Sequence, residues 1–223
     1  KATRLIHDRP VLANCTGPFS LAGRLMNVND ILLDTLEEPE LVHVVLEKAT
    51  QFISAYIGKL KRAGADGVIL AEPLAGLLSP DLMQEFSTEY VKKLVAEHQD
   101  KNFLIIYHNC ASGMERMIPQ MLDTGCRVFH LGEKTDMEAV LQKMPKDCLV
   151  LGNLSVSQVF RSDSPHHVRM STQRLLMQCM NYENFMMSSG CDVPADTDYD
   201  CIDAFFETVE SGYYKRMLWD TIT

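Results

Sequence analysis

A chain of 223 residues that is 46% hydrophobic can bury a sizeable core, enough for one domain or, at the limit, two small ones. A formal charge of -9 leaves no basic footprint for phosphates, which argues against a nucleic-acid binder and for small molecules or proteins as partners. No apolar run reaches the roughly 18 residues that span a bilayer, and no leader-like segment opens the chain, so no membrane partner and a soluble, cytoplasmic protein are expected.

The opening KATRLIHD reads as the tail of a helix, and residues 10–14 as a short buried strand running into a Gly17-Pro18 turn. Phe19 to Met26 predicts a short helix. From Pro39, which suits a first helical position, Leu41, Val44, Val45, Phe52, Ile53, Tyr56, Ile57 and Leu60 predict a long amphipathic helix up to Gly64. A strand follows over 67–71, ending at Glu72-Pro73, then a helix over 80–98 and a strand over 103–107. Helices over 114–122, 137–144, 165–179 and 201–209 alternate with strands over 127–131, 148–151 and 184–188. His166 and His167 look like solvated residues at a helix start, and Met170, Met177, Met180, Met186 and Met187 like core filler.

Strands that are apolar throughout, alternating with helices, indicate a parallel sheet covered on both faces. Asn14, Glu72, His108, Glu133, Asn153 and Cys191 each fall at the C-terminal end of a different strand. Such ends converge in a barrel, whereas in an open sheet only those at the switch point meet. The expectation is therefore an α/β fold, a TIM (β/α)8-type barrel forming a single domain over 1–223, with about six of the eight strand-helix units. Together with a first residue that is Lys rather than Met, this suggests that the N-terminal portion of the fold is missing or supplied by another chain. Exposed strand edges would then favour self-association into a homo-oligomer.

The chemistry centres on Phe103 to Gly113, FLIIYHNCASG. Residues two apart in extended backbone point to the same side, so His108 and Cys110 can converge on one metal ion. Cys191, in FMMSSGCDVP, is the third soft ligand in a comparable setting. Seven cysteines are an odd number and widely spread, which fits reduced thiols, and Cys126, Cys148, Cys179 and Cys201 read as core packing. Glu72 reads equally as a helix cap or solvated acid, or as a substrate contact. Asn14 and Asn153 read as substrate-binding residues or as partners for backbone groups at strand ends.

These residues resemble the uroporphyrinogen decarboxylase superfamily, in its corrinoid-dependent methyltransferase branch. Carrying the resemblance are Gly17-Pro18-Phe19-Ser20-Leu21-Ala22, Gly64-Ala65-Asp66-Gly67 leading to Glu72-Pro73, Leu78-Ser79-Pro80, His108-Asn109-Cys110, Gly152-Asn153 and Gly190-Cys191-Asp192-Val193-Pro194. It implies that His108, Cys110 and Cys191 are zinc ligands, which the decarboxylases lack. A likeness to cobalamin-independent methionine synthases, which place a Glu on the strand after their His-x-Cys, adds Glu133 as a fourth, displaceable ligand. One departure is Ala111, where the family carries Gly directly after His-x-Cys.

The function implied is a zinc-dependent methyltransferase that moves a methyl group from a methyl-corrinoid, presented by a corrinoid carrier protein, to a small thiol such as coenzyme M or to a related acceptor. The alternatives are a metal-free porphyrinogen decarboxylase and a non-catalytic module that binds a corrinoid protein and uses zinc structurally.

Overall fold

The computed structural model describes the backbone of residues 2–220 and the side chains of residues 2–211. Ala2–Arg4 form one 3-10 turn that buries nothing. The helix tail expected over 1–8 is absent from its described part because no apolar face there has anything to pack on. The elements that follow are β1 (Leu12–Thr16), α1 (Pro18–Met26), α2 (Val28–Glu37), α3 (Pro39–Arg62), β2 (Gly67–Ala71), α4 (Pro80–Met83), α5 (Glu89–His98), β3 (Leu104–Asn109) and α6 (Ile118–Asp123). After them come β4 (Val128–Leu131), α7 (Met137–Leu141), β5 (Leu149–Leu154), α8 (Pro165–Cys179), β6 (Phe185–Ser189) and α9 (Tyr199–Asp220).

The strands follow chain order in the sheet, β1-β2-β3-β4-β5-β6. β1 with β2, β2 with β3 and β5 with β6 pair in parallel. This is an α/β fold of the TIM-barrel type, with six of its eight strand-helix units, as the alternation predicts. Contacts divide the chain into two compact units, Lys1–Phe129 and His130–Thr223.

In the first unit α3 packs against α1 and α5. The stripe it buries is Val42, Leu46, Ala49, Ile53 and Ile57; each large apolar side chain there contributes about 1.5–3 kcal/mol by leaving water. Leu41, Val44, Phe52 and Tyr56, expected on that face, are exposed. The true stripe keeps a spacing of three and four residues, and the expected set was too wide for one face. Two other departures stand out. α2 has no counterpart in the expectation, because it buries only Ile31 and Thr35 and so carries little periodic signal. The helix expected over 80–98 is interrupted by a π-helical turn, Gln84–Thr88, between α4 and α5.

In the second unit β5 and β6 pair from Val150↔Phe185 to Leu154↔Ser189. α8 packs on α9, burying Val168, Thr172 and Cys179. The rings of Phe160 and Phe205 lie 5.7 Å apart. Met170, Met177 and Met180 of α8 and Met186 of β6 are exposed rather than core filler; Met187 alone of that set is buried. Cys126, Cys148, Cys179 and Cys201 are buried, and burial pushes the Cys179 thiol up to about 12, the mark of an inert packing residue. Among the described residues no helix is long and apolar enough to cross a membrane.

Candidate metal centre

His108 and Cys110 stand at the end of β3. β3 runs two residues further than its apolar content suggests, to Asn109, and buries Ile105 through Asn109. His108 therefore lies in the strand, opposite Ala71 of β2. Its carbonyl accepts from the Glu72 N–H at 2.8 Å, which holds the strand end in register just where the ligand pair begins. His108 is buried and Cys110 half-buried.

Cys191 stands two residues beyond β6. The carbonyl of Ser189 accepts from His130 Nε2 at 2.7 Å, and Gly190 N donates to the Leu154 carbonyl at 2.8 Å. A Cβ on Gly190 would stand 2.6 Å from the backbone nitrogen of Glu133; only glycine lets the two segments approach so closely. Burial lowers the His130 pKa against the pull of its Ser189 hydrogen bond and of Asp192, so the ring works as a neutral donor fixing the approach to Cys191.

His108, Cys110 and Cys191 form a group able to hold a metal ion, each offering one ligand atom, with these atoms all within 4.8 Å of one another. One imidazole and two thiols make a soft donor set that selects zinc over hard cations.

Glu133 stands outside that group. Its Oε2 accepts from Ser155 Oγ at 2.7 Å and its Oε1 from Ser157 Oγ at 2.7 Å. Burial works to raise its pKa, but the Ser157 and Ser155 hydroxyls and the backbone N–H groups of Ser157 and Val156 together hold it below the usual carboxylate range. Asn153, within β5, spends both Nδ2 hydrogens on the carbonyls of Gly132 and Thr135, at 2.9 and 2.8 Å. These bonds tie β5 to the segment that carries Glu133.

Glu72 is fully buried. Its Oε1 accepts from Ser20 N at 3.2 Å, satisfying a first-turn donor of α1, and its Oε2 from Ser87 Oγ at 2.9 Å. The π-helical turn brings Ser87 to this carboxyl. Burial raises the Glu72 pKa to about 7, against the Ser87 and Ser20 hydrogen bonds. Oε1 thus caps α1 from outside the helix, and Oε2 ties it to the Ser87 hydroxyl. Asn14 is not at a strand end: β1 continues to Thr16 because Cys15 and Thr16 pair with Leu70 and Ala71, and Asn14 lies mid-strand opposite Ile69 with its side chain exposed.

The residues that surround the candidate ligands and that sequence reasoning missed are Asn109, Ser155, Ser157 and His130. Ser155-x-Ser157 directly after a strand was the available signal, two hydroxyls that a single carboxylate can collect.

The profile described as Uroporphyrinogen decarboxylase (URO-D) matches residues 1–212. The chain belongs to the uroporphyrinogen decarboxylase family. Among its relatives is the methylated-thiol–coenzyme M methyltransferase of Methanosarcina mazei, 26% identical over 199 residues, covering 88% of this chain and 52% of that protein. The methylcobamide:CoM methyltransferase MtaA of Methanosarcina barkeri is 27% identical over 151 residues, 66% of this chain and 43% of the relative. Uroporphyrinogen decarboxylases match at similar identity. A solved methyltransferase structure from Methanosarcina mazei superposes with a TM-score of 0.82 at 20% identity, over 94% of this chain and 61% of its own, which establishes the shared fold. This member of the family thus spans about half the length of the curated relatives named here.

Proposed function

We propose that the protein is a zinc-dependent methyltransferase of the uroporphyrinogen decarboxylase family, moving a methyl group from a methyl-corrinoid on a carrier protein to a small thiol such as coenzyme M or to a related acceptor. The observation that carries this reading is the clustering of His108, Cys110 and Cys191 ligand atoms within 4.8 Å. Relatives whose names specify methylcobamide and coenzyme M support the donor and acceptor.

In this reading His108, Cys110 and Cys191 hold the zinc. When bound, zinc supplies the Lewis acidity that converts an incoming thiol to its thiolate at neutral pH. A zinc held by these three residues would have room for an exchangeable group, and the two cysteine thiolates would keep the ligand set anionic, which would preserve the nucleophilicity of the acceptor. Glu133 is our candidate for the displaceable fourth ligand; the serine hydroxyls that hold it ionised also keep it ready as a charged donor. The His130 bond to Ser189 and the close packing of Gly190 orient Cys191, and the Glu72 N–H bond to the His108 carbonyl orients the other pair.

The test is zinc-edge X-ray absorption of the purified protein before and after addition of coenzyme M, together with demethylation of methylcobalamin. The reading predicts one more sulfur around zinc and thiol-dependent demethylation. A shell that takes no sulfur means a structural zinc. Purification without zinc would favour the metal-free decarboxylase instead.

A further inference from the structure

We propose that Asn109, the residue between the first two ligands, is a positioning residue that aims Cys110, and that Gly76 is what allows it to do so; this rests on the metal reading above. Asn109 is fully buried at the last position of β3. Its side chain bridges two pieces of backbone. Nδ2 donates to the Glu72 carbonyl at 2.6 Å, and Oδ1 accepts from the Ala111 N–H at 2.9 Å. The second bond spans two residues and is an Asx turn, the means by which Asn redirects its own backbone. It encloses Cys110. The peptide group that follows the ligand is thereby fixed by a side chain that is itself tied to the end of the neighbouring strand.

The same corner is packed closely at Ala111. A Cβ on Gly76 would collide with the Cβ of Ala111 and lie 2.9 Å from Asn109 Oδ1 and 3.2 Å from the Met114 sulfur. The small residue this corner needs is supplied from the 3-10 turn Pro73–Leu77 rather than from the ligand loop itself. The turn after His-x-Cys is then closed by the asparagine side chain. A ligand set at a strand end needs its flanking backbone held as firmly as its donor atoms, and outer partners of metal ligands are typically worth 10- to 100-fold in affinity.

The experiment compares the full chain with Asn109→Ala and Asn109→Asp. Zinc affinity is measured by chelator competition, and the cobalt(II)-substituted proteins are examined for thiolate-to-cobalt charge transfer. Asn109→Ala is predicted to weaken zinc by about 10- to 100-fold and to lose the share of the charge-transfer band contributed by one of two thiolates. Asn109→Asp keeps the acceptor for the Ala111 N–H but loses the donor to the Glu72 carbonyl, and is predicted to recover part of the band. If Asn109→Ala does not fold, Asn109→Leu, which fills a similar space without an acceptor for the Ala111 N–H, takes its place with the same predicted loss. Unchanged affinity and band in the folded Asn109→Ala or Asn109→Leu protein, or an Asn109→Asp protein that folds yet matches the alanine variant, overturns the proposal. Absence of zinc from the wild type overturns the metal reading along with it, whereas a zinc-loaded wild type with indifferent variants overturns only the role of Asn109.

Discussion

Two glutamates stand just past strands of the same sheet type, one in each unit, and their surroundings send them opposite ways. Glu72, after β2, is sealed from water, and two neutral donors do not offset the cost of burying its charge; its pKa rises to about 7. Glu133, after β4, keeps partial access to solvent and collects two hydroxyls and backbone N–H groups, which hold it ionised. Burial without an opposite charge favours the neutral acid, while several hydrogen bonds to the charged form favour the carboxylate. The comparison teaches that position after a strand does not decide what a carboxyl group does. Glu72 accepts from the first turn of α1 and from Ser87, and Glu133 is a charged group at hand beside the Gly190-Cys191 segment.

The comparison breaks most visibly at Glu72. Glu72→Ala, measured by urea unfolding at pH 6, is predicted to cost about 3 kcal/mol, because it leaves Ser20 N–H and Ser87 Oγ without an acceptor and opens a cavity. A loss indistinguishable from zero would remove the structural role. A subtler variant reads the proton. With a folded-state pKa of about 7 against an ordinary 4.5, the stability tied to Glu72 is fully present below about pH 4.5 and declines as pH rises to about 7. Glu72→Gln escapes that decline. It is therefore predicted to gain on the wild type between pH 5 and pH 8, and an equal difference at both values contradicts the raised pKa.

Ser155→Ala combined with Ser157→Ala addresses the other carboxylate with a smaller effect, about 1 kcal/mol at neutral pH given partial solvent access. Here the sign reverses. A depressed pKa adds stability above the ordinary value that is lost as pH falls through the folded one, so the deficit of the double variant should fade in acid below pH 4.5. A deficit that persists there would mean that the serines act through packing and not through the charge.

Much of this was legible in the sequence, and the failures have physical causes. Apolar runs bounded by turn residues place β2, β3 and β6 to within about two residues, because strands buried on both faces carry no polar interruption. The i, i+2 spacing of His108 and Cys110 is legible for the same reason: period two is a property of extended backbone, independent of context. Asn14 was misplaced because β1 is extended by pairing of Cys15 and Thr16 with a strand some 55 residues away. The partners of Glu72 come from Ser20 and Ser87, 52 and 15 positions distant, and no local pattern announces that a π-helical turn will deliver one of them. Asn153 shows the opposite case, a residue whose bland reading as a backbone partner needed only two carbonyls within reach. The exposed methionines of α8 mark another boundary, since composition says nothing about which face of a helix meets the core.

The central claim, that His108, Cys110 and Cys191 hold one zinc ion, is tested most directly by elemental analysis of protein purified without added metal. The account predicts about one zinc per chain in the wild type, and its loss in both Cys110→Ser and Cys191→Ser. A wild type free of zinc, or stoichiometric zinc in either serine variant, would contradict it.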